Sequence, residues 1–107
     1  MITIHLLYTG KGGSARAFAQ EMLDSGTAEK IRNEEGNLRY EYFVSLADPE
    51  TVLLVDSWAD QAAIDRHHAS PMMAKISALR EKYDLHMQVE RYAEIGENAA
   101  DERFLRR

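Results

Sequence analysis

Leu38-Arg39-Tyr40-Glu41-Tyr42-Phe43-Val44-Ser45-Leu46, then Ala47-Asp48-Pro49-Glu50, then Thr51-Val52-Leu53-Leu54-Val55-Asp56-Ser57-Trp58 is the stretch on which the fold turns. Leu38, Tyr40, Tyr42, Val44 and Leu46 alternate with Arg39, Glu41, Phe43 and Ser45, the period of two that marks a strand. Asp48-Pro49 supplies a turn, because proline presets the first turn dihedral and aspartate bonds locally to the backbone. Thr51 to Trp58 follows at once, rich in β-branched residues. A strand that close behind a tight turn returns antiparallel to its predecessor.

The pattern extends in both directions from this hairpin. Upstream, Ile2, Ile4, Leu6 and Tyr8 alternate with Thr3, His5, Leu7 and Thr9, a strand with apolar residues on both sides. Gly10-Lys11-Gly12-Gly13 ends it, with Ser14 as the expected cap of a helix whose apolar stripe is Ala15, Phe18, Met22 and Ile31. Ser25-Gly26-Thr27 interrupts that stripe and predicts two helical pieces, since glycine costs about 1 kcal/mol against alanine inside a helix. Gly36 is placed to end the second piece in a left-handed conformation. Downstream, Asp60 is the expected cap of a short helix ending near His68-Ala69, and Ser70-Pro71 starts another with Ile76, Leu79 and Tyr83 inward. Leu85, Met87, Val89, Ala93 and Ile95 form one side of a last strand. The expected organisation is one domain over residues 1–96 and a polar tail over 97–107, either a short docked helix or frayed.

The order β-α-β-β-α-β is the split pattern of ferredoxin-like α+β domains, with helices on one face of a four-stranded antiparallel sheet. The other face is not polar enough for water. Leu7, Phe43, Leu53 and Val55 share one side, and Leu6, Tyr40, Tyr42 and Leu54 the other. A second copy of the sheet is the simplest cover, so the chain is expected to be a homodimer through the sheet face.

Composition narrows the partners. A net charge of −5, with Lys and Arg scattered, argues against nucleic acid. No apolar run approaches the roughly 20 residues of a membrane span, and no secretory leader is recognisable, so the expected location is the cytoplasm. The absence of cysteine removes thiolate metal sites and a cysteine nucleophile together. His5, His67, His68 and His86 contain no i,i+4 pair, so no metal is expected. No G-x-G-x-x-G follows a strand, and Lys11-Gly12-Gly13-Ser14 is too short for a nucleotide loop. No cofactor is expected.

Three segments are informative together: Asn33-Glu34-Glu35-Gly36-Asn37-Leu38-Arg39-Tyr40, Asp56-Ser57-Trp58, and His67-His68-Ala69-Ser70-Pro71-Met72-Met73. With their order and spacing, the chain resembles the antibiotic-biosynthesis-monooxygenase family of dimeric α+β-barrel proteins. Members commonly show an E-x-G segment before the second strand and an acidic-x-aromatic triplet closing the third. A histidine follows nine residues later, four before a helix-starting proline, as Trp58, His67 and Pro71 do here.

The resemblance implies the fold, the homodimer and a pocket between sheet and helices that takes a small molecule, without fixing the reaction. The leading expectation is a cofactor-independent monooxygenase of a small phenolic or quinol-type substrate. An isomerase of a small hydroxyketone phosphate, like the autoinducer-2-processing relatives, is the alternative. Those isomerases tend to carry a histidine where this chain has Met72. A ligand-binding dimer without catalysis is the third reading. Haem degradation is disfavoured, because Ile76-Ser77-Ala78-Leu79 stands where those relatives carry their iron-binding histidine.

His67 is the candidate catalytic residue, since an imidazole titrating near neutrality exchanges protons at physiological pH. The competing reading is a histidine of the pocket wall. His68 lies about 100° around the helix and is expected at the surface. Trp58, Tyr40, Asp56 and Asn37 are the candidate substrate-binding residues. Trp58 and Tyr40 offer aromatic walls, though core packing is the commoner role of each. Asp56 shares a strand side with Trp58 and can orient His67 or hold a hydroxyl; capping a backbone group is the usual alternative. Asn37 can donate to a substrate oxygen or shape a turn.

Overall fold

The computed structural model describes residues 1–107. Strand β1 (Ile2–Thr9) leads into helices α1 (Ser14–Asp24) and α2 (Thr27–Arg32), and strands β2 (Asn37–Val44) and β3 (Thr51–Trp58) form the hairpin. Helices α3 (Gln61–His68) and α4 (Met72–Lys82), strand β4 (His86–Ala93) and a 3-10 helix over Ala99–Phe104 complete the chain. The four strands form one antiparallel sheet in the order β2-β3-β1-β4. The architecture is the ferredoxin-like α+β fold expected from the pattern. No helix is long and apolar enough to cross a membrane.

Local chemistry accounts for most boundaries. Gly26, at φ +78°, separates α1 from α2, so the interrupted stripe becomes two helices that both bury apolar residues: Phe18 and Met22 from the first, Ala28 and Ile31 from the second. Asp60 caps α3, its carboxylate accepting from the Ala63 amide at 2.9 Å. Two expected caps move by one residue. Gly13, not Ser14, precedes α1, because the left-handed turn at φ +81° requires glycine, and the Ser14 hydroxyl accepts from the Lys11 amide instead. Pro71 rather than Ser70 stands before α4. Strand β2 stops at Val44, short of Leu46. A register shift between Asn37 and Arg39 turns Leu38 out of the alternation, leaving it 58% exposed.

The core lies between the helices and the inner sheet face. Tyr8, Phe18, Met22, Ile31, Val52, Leu54 and Trp58 are its largest fully buried apolar side chains. Tyr8 packs on Phe18 with ring centres 5.0 Å apart. Pairing of Leu6 with Leu54 and of Ile4 with Asp56 puts the odd-numbered residues Leu7, Leu53 and Val55 on the opposite face, beside Phe43. Every residue of β4 is exposed, and the 3-10 helix buries nothing, so the tail is structured without being docked.

Candidate functional site

A cavity of about 270 Å³ lies between the inner sheet face and helices α3 and α4. Its floor comes from Ile4 and Leu6 of β1, Leu54, Asp56 and Trp58 of β3, and Tyr40 of β2. Its roof is Ile64, His67 and His68 of α3 with Met73, Ile76 and Arg80 of α4, and Met87, Val89 and Arg91 of β4 border its open side. Ten of the fifteen lining residues are hydrophobic, which suits a flat apolar ligand better than a highly charged one.

The position of His67 is set from two directions. Gly36 has φ +84°, and a Cβ built there would fall 2.6 Å from the Cβ of Ala63. Only glycine lets the start of β2 lie this close to α3. The Ala59 amide donates to the Gly36 carbonyl at 2.8 Å and closes the contact. His67 lies one helical turn beyond Ala63 on the same face. Glu34, two residues before Gly36, meets it there, with Oε2 at 2.6 Å from Nδ1. A carboxylate accepts, so the contact assigns the neutral ring its proton to Nδ1, and no protein group bonds Nε2. On the other side the imidazole packs against Trp58, ring centres 4.8 Å apart and tilted by 31°. Burial lowers the His67 pKa below its usual 6.5, and the Glu34 carboxylate offsets part of that. The ring is therefore a neutral base at pH 7.

Asp56 projects from the central strand β3 into the same cavity and is 7% exposed. Its Oδ1 is buried without a hydrogen-bond partner. The expected alternative of a backbone cap does not describe that oxygen. Burial pushes the carboxyl up to about 7, with the Trp58 indole N–H and Arg80 pulling it down and Glu34 adding to the rise. Arg80 donates from Nε at 3.2 Å and from Nη2 at 2.9 Å to the Tyr8 hydroxyl. The Tyr40 hydroxyl is 3.0 Å from that of Tyr42, and burial raises the pKa of both phenols, so they stay protonated. No three histidine or carboxylate side chains gather as a metal site.

Four of the five residues singled out from the sequence, Tyr40, Asp56, Trp58 and His67, thus line one cavity. Asn37 does not. It pairs with Trp58 in the ladder, and its amide faces the carbonyls of Arg39 and Ser57 at 3.3 and 3.4 Å. Glu34, Arg80 and Arg91 lie outside the set that the sequence pattern points to. The E-x-G spacing contained the signal for Glu34; nothing local marks the two arginines.

An antiparallel sheet under four helices, with a mostly apolar cavity holding a carboxylate-oriented histidine, defines an α+β domain with a pocket of small-molecule size. The family described as antibiotic biosynthesis monooxygenase matches residues 1–79, and the chain belongs to it. Solved structures agree in fold. A Pseudomonas aeruginosa protein is similar at 22% identity and TM-score 0.75, covering 89% of this chain and 94% of that one. A conserved protein from Methanosarcina mazei is 23% identical, with TM-score 0.72 and coverage of 85% and 89%. SnoaB from Streptomyces nogalater, a cofactor-independent oxygenase, is 15% identical, with TM-score 0.74 and coverage of 92% and 96%. No curated protein matches the sequence.

Proposed function

We propose that the protein is a cofactor-independent monooxygenase of a small phenolic or quinol-type substrate. The observation that carries this reading is the His67 imidazole, held at Nδ1 by Glu34 and packed on Trp58 inside an apolar cavity. His67 Nε2 takes the proton of a substrate hydroxyl. The resulting phenolate is electron-rich enough to pass one electron to O2, and the two radicals join through a new bond between ring carbon and oxygen. His67 returns its proton to the peroxide. Loss of the proton on that ring carbon then breaks the O–O bond and expels hydroxide, which leaves as water. A phenol and O2 become a quinone and water; a hydroquinone becomes a hydroxyquinone and water. All electrons come from the substrate. Trp58 and Tyr40 hold the ring, and the apolar lining keeps bulk water from the radical pair. SnoaB, of the same fold, is a precedent for oxygenation without a cofactor.

The hydroxyketone-phosphate isomerase is the weaker reading. A phosphate needs free cations, and here Arg80 is bonded to Tyr8 and Arg91 to Gln61 in a mostly apolar lining. The outer sheet face, with Leu7, Phe43, Leu53 and Val55, is where a second copy would pack.

The test is oxygen uptake with a panel of phenols and hydroquinones. Uptake above the uncatalysed rate that is lost in His67→Ala is expected. No stimulated uptake with any of them would remove the oxygenase reading.

A further inference from the structure

Burying a carboxylate oxygen without a partner destabilises a fold, and structures seldom keep such a group for packing alone. Asp56 Oδ1 is in that condition, and the Asp56 side chain belongs to the wall of the cavity, so a turn of the carboxyl brings either oxygen to it. The Trp58 indole N–H is directed at the Asp56 carboxyl and leaves Oδ1 unpaired, and the other neighbours are committed elsewhere. Tyr40, opposite it on β2, shares its hydroxyl with Tyr42, and Arg80 is occupied by Tyr8 without forming an ion pair to Asp56. Ile4, opposite on β1, has nothing to donate. Trp58, two residues along the same strand side, carries His67 on its face, so the base and the orphan carboxyl border the same space.

Building on the oxygenase reading of this cavity, we propose that Asp56 binds a hydroxyl of the substrate and thereby selects aromatic diols over simple phenols. One oxygen of the ring faces His67, which deprotonates it. The other meets the Asp56 carboxyl and supplies the donor that Oδ1 lacks. A ligand with a hydrogen in place of that second hydroxyl leaves Oδ1 as it is in the free protein and forfeits the bond. Hydrogen bonds to such buried polar groups discriminate more sharply than apolar contacts do.

The experiment is calorimetric titration under nitrogen, comparing naphthohydroquinone with naphthol, which differ by the one hydroxyl. Excluding oxygen separates binding from turnover. The wild-type protein is expected to bind the diol about tenfold more tightly. Asp56→Ala should bind the two equally, whereas Asp56→Asn, with an amide that still bonds a hydroxyl, should keep part of the preference. Thermal melting at pH 8 should show neither variant less stable than wild type, the reverse of what a structural aspartate gives. Equal affinity for the two compounds in the wild type, an undiminished preference in Asp56→Ala, or binding of neither compound would each overturn the proposal. Selective diol binding without oxygen uptake would reject the oxygenase reading and uphold this one.

Discussion

Strands β3 and β4 flank the same central strand β1, yet their surroundings differ completely. From Val52 to Trp58 β3 is buried except at half-buried Leu53, whereas every residue of β4 is exposed, Val89 at 63% and Met87 at 42%. Each carries an alternating apolar row broken by one charged residue, Asp56 in β3 and Arg91 in β4, so alternation alone does not separate them. The helices decide. They cover β2, β3 and β1 and leave the inner side of β4 as the open flank of the cavity. The buried strand therefore supplies the floor with Asp56 and Trp58, and the exposed one a wall open to solvent.

Truncation breaks this contrast most directly. Trp58→Ala should cost about 3–5 kcal/mol, the usual loss for a large buried aromatic, while Val89→Ala should stay within about 0.5 kcal/mol. Urea denaturation of both variants measures the difference. A Val89→Ala cost of core size would mean that β4 is covered in solution.

The second expected effect is a pH dependence from the floor of the cavity. Asp56 has its folded-state pKa raised to about 7 from the ordinary 3.8. Between those values the folded chain keeps a proton that the unfolded chain has released. Stability from this group therefore falls as pH rises through the window and levels off above it, by up to about 4 kcal/mol. His67, with its pKa lowered by burial, acts in the opposite sense, losing stability as pH falls through its ordinary value. The measurement is thus the difference in unfolding free energy between wild type and Asp56→Asn at pH 5 and pH 8. Asp56→Asn should gain on the wild type at the higher pH; parallel curves would show that Asp56 titrates as in water.

The smallest effect concerns the roof. Glu34→Gln removes the charge that holds the His67 pKa up, so the imidazole should titrate at lower pH, with about 1 kcal/mol lost from stability. Proton NMR of the His67 ring through a pH titration reads this directly. An unmoved midpoint would mean that Glu34 is not charged against it.

Legibility in the sequence followed the range of the interactions. Alternation in β2 and β3, the break at Gly26 and the cap at Asp60 are set by neighbours in the chain, and all were readable. The side of the strand on which Asp56 and Trp58 lie was readable for the same reason. Partners were not. Glu34 and His67 are 33 residues apart and Tyr8 and Arg80 are 72 apart, and periodicity names a face but not what meets it. Asn37 is the converse case. Its place after Gly36 allows a donor to substrate or a turn residue, and its amide donates to two backbone carbonyls beside a register shift in the strand. The full exposure of β4 was equally hidden, because it depends on where two helices stop rather than on β4 itself.

Trp58 is the chain's sole tryptophan, and it packs at a tilt against the ring proposed as base. The indole emission of this protein therefore has a single origin, inside the cavity. A charged imidazolium at that distance quenches an indole where a neutral ring does not. The light emitted is thus a built-in meter of the protonation state on which the proposed chemistry depends.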